Sequence, residues 1–301
     1  MQYKEEIKKL KKERDAVILV HNYQSPEVQD IADHLGDSYD LSLKAASISA
    51  SVIVFCGVSF MAETAKILAP MKTVLHPVRE ARCPMADMAR EEEIARLRKK
   101  YPEASVMAYV NTNARTKALT DVICTSANAV KIASKLPSKD IIFLPDKNLG
   151  RFIQKKCPKK RIILSEGYCY VHEDLEKDEL LKIRKAHPSA LILTHPEANE
   201  EVSALSDHLM GTGEMLKFVK NSDVKEFIIG TEEGLIYRLR NENPGKEFYP
   251  LQPRIICRNM KKIGLKDVYL SLLENKYGIE LPEDVMISAR IPLQKMLELS
   301  E

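Results

Sequence analysis

At 301 residues, with 45% hydrophobic and 30% charged side chains, the chain has enough apolar material for two or three packed domains, which excludes general disorder. Its 46 Lys and Arg nearly balance 43 Asp and Glu, and with no Trp and 6% aromatics this argues against nucleic acid as the main partner. No apolar run nears the roughly 20 residues of a membrane span, and the opening MQYKEEIKKLKKERD lacks the apolar stretch of a secretory signal, so a cytoplasmic protein without membrane contact is expected.

In chain order, the Lys/Glu-rich start predicts a helix, and Ala16-Val17-Ile18-Leu19-Val20 a strand running into His21-Asn22-Tyr23. A short helix follows. Ser38 then heads a helical pattern over residues 39–49 as its N-cap. Val52-Ile53-Val54-Phe55-Cys56 is a second strand, residues 73–78 are a third, and Cys83 follows on a loop. The series then recurs. Residues 106–108 lead into Tyr109-Val110-Asn111, Ser126 heads a helix over 127–133, strands follow at 141–144 and 161–164, and the loop carries Cys169. The third copy has 191–194 before His195-Pro196-Glu197, Thr212-Gly213 before a helix over 214–219, strands at 227–230 and 247–252, and Cys257.

Aligned on His21, Tyr109 and His195, the copies repeat every 86–88 residues. Asp33, Asp121 and Asp207 lie twelve residues after the anchors, and Ser38, Ser126 and Thr212 lie seventeen after. The cysteines follow at 62, 60 and 62. This period is too long for a solenoid repeat and suits a small α/β unit. The expectation is an α/β fold of three pseudo-symmetric, three-layer α/β/α subdomains with small parallel sheets around a central site. The units run over 1–86 plus 258–301, 87–172 and 173–257, with both chain ends outside the repeat proper.

Ligands of open α/β sheets bind beyond the carboxyl ends of the strands. Three units around a pseudo-threefold axis would point those ends at one centre. Cys83, Cys169 and Cys257 would then form a soft thiolate site for an iron–sulfur cluster or zinc, with His172 as a further zinc ligand in the second case. A single cysteine in a cytosolic chain is usually a core residue, and Cys56, Cys124 and Cys157, out of phase, are read so. Ser38, Ser126 and Thr212 place helix N-termini at the centre, where carboxylates or phosphate bind. At the strand ends His21, Tyr23, Tyr109, Asn111, His195 and Glu197 share one face by the period of two and supply donors, acids and bases. Asp33, Asp121 and Asp207 are read as turn or capping residues.

These residues resemble the quinolinate synthases, and the likeness runs nearly end to end. It is carried by His21-Asn22-Tyr23-Gln24, Gly36-Asp37-Ser38, Gly57-Val58-Ser59-Phe60-Met61-Ala62-Glu63, Cys83-Pro84-Met85-Ala86, Tyr109-Val110-Asn111, Cys124-Thr125-Ser126-Ala127-Asn128-Ala129, Pro145-Asp146-Lys147-Asn148-Leu149-Gly150, His195-Pro196-Glu197 and Asn259-Met260-Lys261-Lys262. The resemblance implies one [4Fe-4S] cluster on Cys83, Cys169 and Cys257 with one iron open. It also implies condensation of iminoaspartate with dihydroxyacetone phosphate to quinolinate, phosphate and water, and a functional link to an L-aspartate oxidase or dehydrogenase. His21, Ser38, Tyr109, Asn111, Ser126, His195, Glu197 and Thr212 would hold substrate. Tyr23, Glu197, His172 and Tyr109 would act in catalysis. Two departures stand out: Tyr170 follows Cys169 where the resemblance leads one to expect proline, and Arg258-Asn259-Met260 after Cys257 leaves no Cys-x-x-Cys switch. The alternatives are an iron–sulfur hydro-lyase acting on another hydroxy acid, and a zinc-stapled anion-binding protein without catalysis.

Overall fold

The computed structural model describes residues 2–301. The first unit holds α1 (Gln2–Glu13), β1 (Ala16–His21), α2 (Pro26–Gln29), β2 (His34–Gly36), α3 (Ser38–Ser47), β3 (Val52–Cys56), α4 (Ser59–Leu68) and β4 (Thr73–Leu75). The second holds α5 (Glu91–Lys100), β5 (Ser105–Tyr109), α6 (Ala114–Ala118), β6 (Val122–Cys124), α7 (Ala129–Lys135), β7 (Asp140–Leu144), α8 (Lys147–Lys156) and β8 (Arg161–Leu164), with α9 (Tyr170–Glu173) after it. The third holds α10 (Lys177–Ala186), β9 (Leu191–Thr194), α11 (Glu200–Leu205), β10 (His208–Leu209), α12 (Thr212–Asn221), β11 (Glu226–Gly230), α13 (Gly234–Glu242) and β12 (Glu247–Pro250). Helices α14 (Leu265–Glu274) and α15 (Glu283–Ser300) close the chain.

The three sheets have one topology. Each has four parallel strands, ordered β2-β1-β3-β4, β6-β5-β7-β8 and β10-β9-β11-β12, with helices between strands, as the sequence predicts for α/β units. Burial explains why the strands read as unbroken apolar runs. In β11, Phe227 and Ile229 pack under α12 and α13 with Met215 and Leu235, while Ile228 faces Leu180 of α10 on the opposite side. A parallel sheet covered on both faces needs apolar residues at every position. The first two units share one core, from Leu19 and Phe55 through Met107 and Phe143 to Leu293 and Met296 of α15.

Three expectations are corrected. Each unit has a fourth strand (β2, β6, β10), too short at two or three residues to leave a periodic signal. The repeated aspartates stand at the bend just before it, as their reading as turn residues expects, and cap no helix. Asp33, Asp121 and Asp207 each accept from a strand N–H, of Ile18, Val106 and Ile192, at 2.7, 2.7 and 2.8 Å. Their own N–H groups return to the same residues' carbonyls, which stitches the short strand to its neighbour. Each also pairs with a base from the helix that opens its unit: Lys11, Arg98 and Arg184. Helix α1 is therefore the counterpart of α5 and α10 and part of the repeat. Finally, the hydroxyls are not N-caps. Asp37, Asn128 and Gly211 hold those places: Asp37 accepts from the Tyr39 and Asp40 N–H groups, Asn128 turns its Oδ1 back to the Thr125 N–H at 2.6 Å, and Gly211 donates its N–H to Glu214 at 2.9 Å. Ser38 and Thr212 are first helical residues, and Ser126 lies ahead of its helix.

Of the C-terminal residues, α14 packs on α1 and β3, and Ile279 donates its N–H to Val74 at the edge of the first sheet. Helix α15 instead lies over α6, β6 and α7 of the second unit. Lys131 and Lys135 of α7 bind the free carbonyls at its end, where positive charge is favoured. No helix among the described residues is long and apolar enough to cross a membrane.

Candidate active site

The strand ends of all three units meet at one cavity. It is lined by His21, Tyr23, Ser38, Cys83, Tyr109, Asn111, Ser126, Cys169, His172, His195, Glu197, Thr212 and Cys257, the residues that the sequence offers as catalytic, substrate-binding or metal-ligating. Asp33, Asp121 and Asp207 lie outside it, and Cys56, Cys124 and Cys157 are core residues.

The units build their corners alike. The Tyr23 N–H donates to His21 Nδ1 at 3.2 Å, and the Glu197 N–H donates to His195 Nδ1 at 3.3 Å. Nδ1 therefore accepts in both rings, and in the neutral form the proton sits on Nε2. Burial drives His21 down to about 3 and His195 down to about 4, so both are neutral imidazoles at pH 7. His195 stacks on His172, with ring centroids 4.7 Å apart.

Glu197 is the centre of the polar network. Tyr109 Oη donates to its Oε1 at 2.5 Å, and His172 Nδ1 lies 2.9 Å from its Oε2. Burial pushes this carboxyl up, but the His195 and His172 rings and the bonds from His172 and Tyr109 pull harder, holding it at about 2. His172 Nε2 continues to Thr231 Oγ1 at 2.8 Å, and Thr231 meets Tyr23 Oη at 2.6 Å. Burial raises the Tyr23 and Tyr109 phenols well above the usual range, so both are proton carriers rather than phenolates.

The thiols face one another closely enough that charge on Cys257 raises Cys83, and charge on either raises Cys169. Burial is the larger cause and pushes Cys83 up to about 12. Backbone N–H groups of Met85 and Ala86 favour the Cys83 thiolate, and those of Asn259 and Met260 favour that of Cys257. Three half-buried cysteines, two of them with N–H donors aimed at the sulfur, suit an iron–sulfur group, whose positive irons offset the cost of the thiolates. Ligand atoms of Cys169, His172 and Glu197 also lie within 4.8 Å of one another. Both nitrogens of His172 are already hydrogen-bonded, which weakens a zinc site that includes it.

A backbone bond ties each cysteine loop to the helix start beside it: Ser59 N–H to Ala81 O, Lys147 N–H to Gly167 O, and Glu233 N–H to Ile255 O. Two loops have a second tie. Asp146 accepts from the Cys169 N–H and Glu232 from the Cys257 N–H, both at 3.1 Å. Both carboxylates lie 37 residues after their anchors, a register that could have found them from the sequence. Val58 holds that place in the first unit.

The anion side of the cavity lies around α3, α7 and α12. The Asp37 carboxylate accepts from the N–H groups of Tyr39 and Asp40 at 2.9 Å, and also from Gly213 of the third unit. Position 213 is glycine because a Cβ there would collide with Asp37. Asn22 Nδ2 holds Thr212 Oγ1 at 3.1 Å. Two buried atoms of cavity residues, Asn111 Oδ1 and Thr125 Oγ1, make no hydrogen bond within the described residues. Such atoms cost about 1–3 kcal/mol each when unmatched, so they mark where a ligand would donate and accept. Thr125, Asp37 and Thr231 were missed from the sequence, and Thr231 has no like residue in the other units.

The family model described as quinolinate synthetase A protein matches residues 5–298. The chain belongs to the quinolinate synthase family. It is 52% identical over 297 residues to the quinolinate synthase of Caldicellulosiruptor saccharolyticus, covering 99% of this chain and 98% of the relative. The enzyme of Clostridium perfringens strain 13 is 50% identical over 299 residues, covering 99% of each chain. That of Thermodesulfovibrio yellowstonii is 50% identical over 295 residues, covering 98% and 97%. The activity is the family's, the formation of quinolinate in NAD biosynthesis.

Proposed function

We propose that this cavity is where iminoaspartate and dihydroxyacetone phosphate condense, and that Cys83, Cys169 and Cys257 hold one [4Fe-4S] cluster there. The observation that carries the reading is the meeting of three thiols, one per unit, with the Tyr109–Glu197–His172 network in a single cavity. When bound, the cluster would supply one open, Lewis-acidic iron for a substrate oxygen.

The chain's own residues do the rest. Ser38, Ser126 and Thr212, beside the starts of three helices, take the carboxylates and phosphate of two anionic substrates. His21 and His195 donate from Nε2. Asn111 and Tyr109 orient the condensing carbons against Glu197. Tyr23 and Glu197 move protons as phosphate and then water depart, with His172 as donor between them. The nitrogen closes the ring, and loss of water makes it aromatic. An L-aspartate oxidase or dehydrogenase would supply the imine, and the chain would work in the cytoplasm without nucleic acid or membrane. The same reading divides the chain at 86, 172 and 257. The packing of α14 supports return of the C-terminal part to the first unit, while that of α15 moves residues 283–300 to the second.

The test is anaerobic purification with iron and sulfide analysis and an assay that omits each substrate in turn. A brown protein with about four irons per chain that needs both substrates is expected. A colourless protein that binds zinc, or product formed without triose phosphate, would overturn the reading.

A further inference from the structure

We propose that Arg238 is a positioning residue that, acting through Asn22, makes the Thr212 hydroxyl a fixed proton donor to a substrate oxygen. This role rests on the reading of Thr212 given above, as a residue that holds an anionic substrate. Arg238 lies on α13 of the third unit and reaches across to the first. Its Nη1 donates to Asn22 Oδ1 at 2.8 Å and to Leu35 O at 2.9 Å, and its Nε donates to Glu242 Oε1 at 2.6 Å. Asn22 is fully buried, and its Nδ2 lies 3.1 Å from Thr212 Oγ1.

The protons available set the direction of each bond. A guanidinium only donates, so the Asn22 atom that faces Arg238 must be the carbonyl oxygen. The amide nitrogen then faces Thr212. It has no lone pair to offer, so Thr212 Oγ1 accepts and keeps its own proton. Among the described residues the Thr212 hydroxyl makes no other hydrogen bond, and Thr212 lines the cavity. Its proton is left for an acceptor inside the cavity, which in the loaded enzyme is a carboxylate or phosphate oxygen.

The arrangement exists at one of three equivalent corners. Asn22 lies one residue after its anchor, and Val110 and Pro196, which hold that place in the other units, have no side-chain donor. Arg238 lies 43 residues after its anchor, where the first two units have Thr64 and Phe152. An amide beside a hydroxyl can present either its nitrogen or its oxygen, and an oxygen there would take the proton that the substrate needs. Arg238, itself held by Leu35 and Glu242, removes that choice. The Thr212 corner therefore takes an ionised oxygen and turns away an N–H, which helps to orient a substrate that carries both.

Arg238→Met removes the donors and keeps a long side chain on α13. In the iron-loaded enzyme handled without oxygen, KM for the substrate that Thr212 holds should rise about tenfold, the scale of one lost hydrogen bond to a charged group. The kcat should stay within about twofold, with iron content unchanged. Thr212→Val should raise KM for the same substrate at least as far. Adding Arg238→Met to it should cost less than about twofold more, because no hydroxyl is left to orient; multiplying losses would overturn the proposal. Asn22→Asp gives a second test. It keeps the shape and the acceptor that Arg238 holds, but it presents Thr212 with an oxygen in place of an N–H. The same KM should rise about tenfold with Thr212 present and less than about twofold in the Thr212→Val background. An equal loss in both backgrounds would be repulsion from the new charge alone and would overturn the proposal. Thr212→Val with KM unaltered for both substrates would overturn the reading of Thr212 and the proposal with it. A raised KM in Thr212→Val beside an unaltered one in Arg238→Met would overturn the proposal alone.

Discussion

The loop of Cys83 and the loops of Cys169 and Cys257 share one scaffold and differ in one contact. All three hang by a backbone bond from a helix start. Asp146 and Glu232 add a buried carboxylate that grips the cysteine N–H, and in the first unit Val58, 3% exposed, fills that space with methyl groups. The helix starts invert the pattern. Asp37 is a buried carboxylate in the first unit, where Thr125 and Gly211 stand in the other two. Threefold symmetry of the backbone therefore does not extend to charge. A triplicated fold keeps its strands alike because packing demands it, while the residues at its cysteine loops and helix starts differ from unit to unit.

The largest effect should come from the cysteines themselves. Alanine at Cys83, Cys169 or Cys257 is expected to abolish bound iron and quinolinate formation together, as iron analysis beside turnover would show. Retention of both by Cys83→Ala would break the comparison by making the loop without a carboxylate dispensable. Next, Glu197→Gln should keep the iron and slow turnover about a hundredfold. It removes the acceptor that both Tyr109 and His172 serve.

Asp37 sharpens the comparison through pH. Burial raises its carboxyl from 3.8 to about 6, so the folded state binds this proton more tightly than the unfolded chain. Its contribution to stability is complete below about pH 4 and is lost as the pH rises through about 6. At about 1.4 kcal/mol per pH unit, the loss is on the order of 3 kcal/mol. Asp37→Asn cannot ionise, so urea melts at pH 4 and pH 7 should show the unaltered protein losing stability relative to the variant as the pH rises.

Smaller effects separate the loops directly. Asp146→Ala strips a partner from the Cys169 N–H and the cap from Leu149, and should cost about 2 kcal/mol. It should also hasten iron release to a chelator. Val58→Ala should cost only about 1–2 kcal/mol of lost burial and leave iron retention unchanged. Equal chelator sensitivity in the two variants would show that the carboxylate does not hold its loop.

Much of this molecule is legible in its sequence because packing is local in its demands. A strand buried on both faces must be apolar throughout, so β1, β5 and β9 announce themselves, and the polar residues where they end mark the cavity. The common phase of Cys83, Cys169 and Cys257 adds a register that no single unit reveals, and the family resemblance points to the same residues. The short strands β2, β6 and β10 escaped because two or three residues carry no period, and the bond that each aspartate accepts from the neighbouring strand escaped with them. Thr231 escaped for a different reason. Nothing in Gly230-Thr231-Glu232 says that this hydroxyl will meet Tyr23 from more than two hundred residues away and His172 from another unit. The sequence by itself determined the three units, their parallel α/β class and the residues at their mouths, since periodicity and repeat are properties of a chain. Only the tertiary structure decided which side chain holds which, and that α15 lies on the second unit, since a hydrogen bond or a packed face belongs to two segments that come together only when the units close on one another.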